Sequence, residues 1–196
     1  MSEIHGLCVF CGSRFGREES YRSAAGELGG LLGREGIRLV YGGGHVGLMG
    51  VVADATLKSG GKVTGVIPRH LQQLEVGHDG LSDLRVVDSM HERKALMADL
   101  SDAFAVLPGG IGTMEEFFEV WTWGQLGIHA KPYGLLNVGG YFDPLIRFLD
   151  HMVSEDFLRD AHRDMLVIEA NPEKLLARLR EKHVTAFPKR IDRSEI

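Results

Sequence analysis

Two stretches of this chain bring together residue types that can do chemistry. The first is LPGGIGTMEEF, Leu107 to Phe117, where Gly109, Gly110, Gly112 and Thr113 run directly into Glu115 and Glu116. Successive glycines before a helix leave backbone N–H groups free to converge on an anion, and the helix dipole adds positive potential. Thr113 adds a hydroxyl. A monophosphate suits this turn better than a polyphosphate, because no lysine follows to track a longer chain of phosphates. The carboxylates have a plainer reading beside this one. Thr113-x-x-Glu116 is also a capping box, with Thr113 as N-cap and Glu116 returning to its amide. Glu115 reads as a solvated acid or one at the rim of a pocket.

The second stretch is SMHERKALM, Ser89 to Met97. Ser89-x-x-Glu92 is a capping box that starts a helix. Met90, Arg93, Met97 and Leu100 then share one face, so Arg93 sits on an apolar stripe. A buried arginine needs a carboxylate or a phosphate, whereas one at the edge of a core snorkels to water. Lys94 either reaches the same anion or stays in solvent.

Alternating elements must position these groups. Short apolar runs at GLCVFCG, IRLVYGGG, KVTGVIP, LRVVD, AFAVLPGG, YGLLNV and MLVIEA read as seven strands. Helical stretches separate them, near 20–34, 47–58, 89–101, 113–126, 144–153 and 172–181, and a polar stretch occupies 69–82. Strands apolar on both faces, alternating with helices, predict an α/β fold: a modified Rossmann, doubly wound parallel sheet of about seven strands with helices on both faces. Ligands bind such sheets beyond the carboxyl ends of the strands. Three glycine-rich stretches fall there: CGS after the first strand, YGGGHVGLMG after the second and LPGGIGT after the fifth. In the helix after LPGGIGT, Phe117, Val120, Trp121 and Gly124 form the core stripe, while Phe118 and Trp123 lie off it. A helix apolar on more than one face is buried twice, which predicts a dimer interface there.

Bulk composition narrows the classes. The chain of 196 residues, 44% hydrophobic and 25% charged, is expected to form one domain over 1–196, with a basic, unpatterned tail after 183. A net charge of −5 argues against nucleic acid or an anionic membrane as the main partner, without excluding a small anion in a local pocket. Cys8 and Cys11 are the only cysteines. Their spacing on a strand puts them on opposite faces, and no second pair completes a zinc site, so they read as inert. The remaining histidines are scattered, and no metal is expected. No apolar run reaches the length of a membrane span and none resembles a leader, so the expected location is cytoplasmic.

The glycine loops also exclude familiar chemistries. Gly42-x-Gly44-x-x-Gly47 fits the dinucleotide fingerprint formally, but VIPRH, where a ribose-binding acid belongs, contains none. No glycine loop is followed by the Lys-Ser/Thr of a P-loop.

Taken together, PGGIGTMEE and MHERK resemble the paired motifs of the LONELY GUY (LOG) family of cytokinin-activating phosphoribohydrolases, whose members have often been labelled lysine decarboxylases. VFCGSRFG, VYGGGHVGLMG and VIPRHLQQLEV are similar to further segments of that family, so the resemblance spans roughly residues 5–180. It implies a homodimer with the active site near the subunit interface and no cofactor. It implies hydrolysis of the N-glycosidic bond of an N6-substituted AMP, giving free base and ribose 5-phosphate. By motif match, Arg93 and Glu116 are the catalytic pair. Gly109, Gly110, Ile111, Gly112, Thr113 and Glu115 belong to the substrate-binding motif, with Gly110, Gly112 and Thr113 on the phosphate. Lys94, Glu75 and Thr122 match further substrate contacts. Ser13, Gly43 and Gly44 belong to loops that close around the nucleotide. A related fold that holds a phosphorylated ligand without breaking it, such as a molybdenum-cofactor carrier, is the alternative. The decarboxylase label has no chemical basis here, because nothing singles out a Schiff-base lysine.

Overall fold

The computed structural model describes residues 3–72, 78, 80–182 and 184. The basic tail expected after 183 lies, but for Val184, outside the described residues. Seven parallel strands form one sheet in the order β4-β3-β2-β1-β5-β6-β7. They are β1 Gly6–Phe10, β2 Arg38–Tyr41, β3 Val63–Pro68, β4 Asp83–Val87, β5 Ala103–Val106, β6 Tyr133–Leu136 and β7 Leu166–Glu169. Among the described residues the α-helices are α1 Glu19–Arg34, α2 Gly47–Lys58, α3 Arg69–Gln72, α4 Met90–Asp99, α5 Ile111–Gln125, α6 Asp143–Ser154, α7 Asp160–Arg163 and α8 Pro172–Glu181. The polar stretch after β3 therefore opens with one short helix, α3.

The strands alternate sides as period-two geometry requires. Leu7, Val9, Leu39, Tyr41, Ala103 and Ala105 face a core completed by α1, α2 and α8. Cys8, Phe10, Val40, Phe104 and Val106 face a second core completed by α4, α5 and α6. Cys8 and Cys11 join opposite cores, both free and buried. Burial, with the charge of Glu116 adding to it, pushes both thiols well above the ordinary range, which leaves them unreactive.

Chain order reverses between β1 and β5. From β1 the chain winds outward through β2, β3 and β4, and from β5 through β6 and β7 on the other side. This switch point opens a crevice at the carboxyl ends of β1 and β5, where CGS and LPGGIGT emerge. The two loops are sewn together there. The Gly12 amide donates to the Pro108 carbonyl at 3.0 Å, and the Leu48 amide at the start of α2 donates to the Gly12 carbonyl at 3.0 Å.

Two local devices aim α4 at this crevice. The Ser89 hydroxyl accepts from the Glu92 amide at 3.1 Å, and the Glu92 carboxylate accepts from the Asp88 amide at 2.9 Å. The expected capping box is present, with its return bond one residue earlier than the standard motif. Lys94, buried between helices, ion-pairs with Glu115 and lies 2.8 Å from Glu119, both on α5. Burial alone would lower the Lys94 pKa, but the two carboxylates outweigh it and hold it above the ordinary lysine value.

Ser89→Ala is expected to lower stability by about 1 kcal/mol through loss of the cap, read as a shifted urea midpoint with unchanged m-value. Lys94→Met leaves two carboxylates without their cation and is expected to cost about 2–3 kcal/mol near neutral pH, at the lower edge for a broken buried pair because Glu115 is half exposed. The folded-state pKa of Lys94 is raised, so its contribution is fully present below the unfolded value of about 10.5 and is lost as pH rises through the folded one. Urea melts of wild type and Lys94→Met should therefore differ at pH values of about 7 to 9 and converge in stronger alkali. A difference that persists undiminished into strong alkali would show that packing, not charge, sets the effect.

Candidate active site

The helix α5 begins earlier than its capping-box pattern suggests. Gly110 is the N-cap, with extended backbone and no side-chain cap bond, and Ile111 is the first helical residue. Thr113 is therefore inside the first turn, and the Thr113–Glu116 capping box does not form. The reason is local. The residue before the N-cap is held where no side chain fits: a Cβ on Gly109 would stand 2.2 Å from the Thr113 hydroxyl and 2.9 Å from the Gly12 amide. Thr113 is buried, folded back beneath the turn it was expected to cap.

This shift releases the group of donors that an anion needs. The amides of Ile111, Gly112 and Thr113 find no acceptor among the described residues. Space within 4 Å of where a Cβ would stand on Gly110 and Gly112 is open. Alongside lies a cleft of about 350 Å³, lined by Gly12, Ser13, Arg14, Tyr21, Leu48, Gly109, Gly110 and Tyr141 among others. The Tyr141 hydroxyl donates to the Gly109 carbonyl and braces the turn, and the Tyr21 ring packs edge-on against Tyr141 at 5.6 Å.

Glu116 follows on the next turn of α5. Its side chain is 13% exposed and one carboxylate oxygen lies 3.7 Å from Arg93 Nη2. Arg93 arrives from α4 and is 7% exposed. It donates from Nη2 to the Gly42 carbonyl at 3.4 Å, and Nη1 lies 3.7 Å from the Met90 sulfur. Its buried Nε finds no hydrogen-bond partner among the described residues. A Cβ at position 42 would stand 2.1 Å from Arg93 Nη2, so any side chain there would push the guanidinium from its place. The apolar stripe that placed Arg93 on a buried face therefore ends at a carboxylate and a backbone carbonyl. It leaves donor capacity unused in a low-dielectric setting, which is costly without a ligand.

The remaining expected residues distribute as follows. Ser13 lines the cleft, and Gly43 and Gly44 are buried in the loop after β2, with Gly43 at φ +82°. Lys94 is neither in solvent nor at an anion in the cleft: it is engaged by Glu115 and Glu119. Glu115 is half exposed and ion-paired rather than simply solvated. Ile111 is 87% exposed at the mouth of the turn. Glu75 lies outside the described residues. Thr122 is not brought into the cleft. Its hydroxyl donates to the Phe118 carbonyl at 2.7 Å, and it borders a second groove with Phe118, Trp121, Gln125, Met152 and Phe157.

Sequence reasoning missed two groups. Arg14 and Tyr141 line the cleft from loops and Tyr21 from the first turn of α1, and none of the three was singled out by residue type. The histidines are not all scattered, since His45, Asp54 and His78 bring three donor atoms within 4.8 Å of one another, the one such group of metal-ligating side chains among the described residues. Residues 33 positions apart meet there only because β3 brings the loop after β2 beside the approach to β4, which no local pattern reveals.

Comparison with known proteins identifies the family and the fold. Residues 49–179 match the family model described as possible lysine decarboxylase. The Oryza sativa subsp. japonica protein named cytokinin riboside 5′-monophosphate phosphoribohydrolase LOG is 49% identical over 92% of this chain and 74% of its own length. The Arabidopsis thaliana protein of that activity named LOG3 is 47% identical over 92% of this chain and 84% of its own. Among solved structures, the molybdenum cofactor binding protein from Rippkaea orientalis superposes with a TM-score of 0.68 at 20% identity, over 92% of this chain and 98% of that one. The Chlamydomonas reinhardtii molybdenum cofactor carrier protein gives 0.68 at 19% identity, over 92% and 98%. At that identity the two solved structures share the fold alone, whereas the matched family model and the near-half identity to the plant proteins show that this chain belongs to the LOG family.

Proposed function

We propose that this protein hydrolyses the N-glycosidic bond of an N6-modified adenosine 5′-monophosphate, releasing the free base and ribose 5-phosphate. The observation that carries this reading is the buried Arg93–Glu116 pair, with unused Arg93 donor capacity, whose acid lies one turn along the helix that begins with the unpaired amides of Ile111, Gly112 and Thr113. A carrier of a phosphorylated ligand needs the amides and gains nothing from an acid beside them. A glycosidic hydrolase needs both.

The chemistry follows from charge. Cleavage of the C1′–N bond leaves positive charge on the ribose ring, in an oxocarbenium-like transition state. The backbone amides and the helix dipole hold the 5′-phosphate at one end of the sugar. Glu116 faces the anomeric carbon and stabilises the charge that develops there. It also orients the water whose oxygen bonds to C1′ as the C1′–N bond breaks; one water proton stays on the new C1′ hydroxyl, and the other is given up and balances the proton the departing base nitrogen takes on. Arg93 keeps the carboxylate in place, anchored itself on the Gly42 carbonyl. Thr113, Gly110 and Gly112 serve the phosphate, and Ser13, Gly43 and Gly44 close over the nucleotide. The reaction needs no cofactor in this scheme.

The proposed assembly is a homodimer in which a second copy covers the α5 face. Phe118 is 38%, Leu126 51%, Ile128 66% and Phe157 86% exposed, an apolar surface beside the groove that Thr122 borders. The expected Trp123 contribution is smaller, because Trp123 is half-buried against the core of its own chain. Thr122 then serves a site at the subunit boundary rather than the cleft of its own chain. Among the described residues no helix is long and apolar enough to cross a membrane, and two free buried cysteines suit the reducing cytoplasm proposed as the location.

Incubation with AMP and with an N6-alkylated AMP, followed by chromatography of the free base, tests the activity directly. Glu116→Gln keeps size and loses charge, and is expected to lower kcat by about a hundredfold or more, with an unchanged circular dichroism spectrum. Turnover close to wild type would remove Glu116 from the chemistry. Sedimentation equilibrium is expected to give twice the mass of one chain, and Phe118→Asp to shift it toward one. A wild-type chain that sediments as a monomer at micromolar concentration would refute the shared face.

A further inference from the structure

Beyond the Arg93–Glu116 pair and the Lys94 bridge to α5, a third group of titratable side chains lies behind the glycine loop that follows β2. His45 Nε2 is 3.1 and 3.0 Å from the two carboxylate oxygens of Asp54, and His78 Nε2 is 2.7 Å from the nearer one. The imidazole rings pack at 4.2 Å between centroids, inclined by 60°. His45 belongs to the glycine loop, Asp54 to the outer face of α2, and His78 to the approach to β4. One carboxylate therefore ties three separate chain segments.

Two chemistries fit two imidazoles and a carboxylate: a divalent cation held by three donors, or a carboxylate accepting two N–H bonds. The other nitrogen of His78 decides between them. The Gly80 amide donates to His78 Nδ1 at 3.1 Å. A nitrogen that accepts carries no proton, so the proton of the neutral ring is on Nε2, aimed at Asp54. A metal-ligating imidazole is arranged the opposite way, with its free N–H donating outward. Asp54 responds as a carboxylate with two donors should. Burial would raise its pKa, but the bonds and charges of His45 and His78 outweigh this and hold it below the ordinary aspartate range.

The group is connected to the catalytic pair by a short series of contacts. The His78 amide donates to the Gly43 carbonyl at 3.4 Å. The adjacent Gly42 carbonyl accepts from Arg93, and Arg93 faces Glu116. Residues 42–44 are three successive glycines, with little intrinsic stiffness. Without an anchor at its tip the loop has no reason to keep one carbonyl on Arg93. His45 is that tip.

We infer that Asp54, through His45 and His78, is a positioning residue that latches the glycine loop and so holds the Gly42 carbonyl on Arg93. This rests on the phosphoribohydrolase reading for its effect on catalysis, but not for its effect on the loop. Asp54→Ala removes both acceptors. Asp54→Asn keeps an amide oxygen for the His78 N–H and serves as the rescuing variant. His45→Ala breaks the loop anchor alone.

Hydrogen exchange of the amides at 43–46, with steady-state kinetics on an N6-alkylated AMP, provides the test. Loss of one charge-assisted bond predicts exchange about tenfold faster in Asp54→Ala and His45→Ala, with kcat/KM down about tenfold and Asp54→Asn close to wild type. A residue that only stabilised the fold would lower the melting temperature without accelerating exchange selectively in this loop, and that result would overturn the latch. So would a wild-type melting temperature raised several degrees by micromolar zinc and unmoved by zinc in Asp54→Ala, which would assign the group to a metal. If wild type cleaves no nucleoside monophosphate, the phosphoribohydrolase reading falls, while the exchange comparison still decides the latch.

Discussion

A buried guanidinium is the constraint around which this molecule is arranged. Arg93 is 7% exposed, and a charge in that position is tolerated only if partners meet it on every side. Glu116 supplies the opposite charge and Gly42 a carbonyl, and each partner fixes something else in turn. The carbonyl can approach only because position 42 has no Cβ. The carboxylate can approach only because α4 and α5 lie side by side, which the Lys94 bridge to Glu115 and Glu119 secures. Partners at 3.4 and 3.7 Å are long for hydrogen bonds. They restrain the arginine without satisfying it, which is the state expected of a group that must also answer to a ligand.

The opposition of charges at the start of α5 also becomes intelligible. A helix N-terminus attracts anions, so an acid near it competes with the phosphate for the same potential. The first three amides of the helix are left without acceptors among the described residues, while the Glu116 carboxylate lies beside Arg93. A ligand that is anionic at one end and becomes cationic a few ångströms away suits that division. Few other ligands would.

The sequence made much of this legible, and where it did not the reason is physical. The parallel sheet could be read because strands buried on both faces are continuous apolar runs, a pattern independent of long-range contacts. The Ser89 cap and the buried face of α4 followed from spacing alone, because hydroxyl, acid and apolar positions repeat within a few residues. The Thr113 cap failed because the same four-residue pattern was overridden by tertiary packing. Gly109 and Gly12 approach closely, and the chain enters the helix three residues sooner, with Gly110 rather than Thr113 as N-cap. Lys94 was ambiguous for a related reason, since its two partners belong to a helix twenty residues further on. The His45–Asp54–His78 group had no local signal whatever. It exists because parallel crossovers bring distant loops to the same end of the sheet, and topology, not composition, selects which loops meet.

That same topology explains why one edge of the sheet collects the function. At the switch point between β1 and β5 the flanking connections diverge to opposite sides, so the crevice is left without a crossing chain. The loops that border it come from β1, β2 and β5, and each contributes a different kind of contact: a bracing turn at Gly12, a carbonyl on the arginine at Gly42, and free amides beyond Gly110. None of the three is made by a side chain. Three backbone contacts thus border the crevice, while the Glu116 carboxylate behind them is faced by the buried Arg93, and Arg14 adds a guanidinium to the lining of the cleft. Glycine-rich loops are therefore a means by which an acidic chain can present donors to an anion while a neighbouring buried acid keeps its own cation.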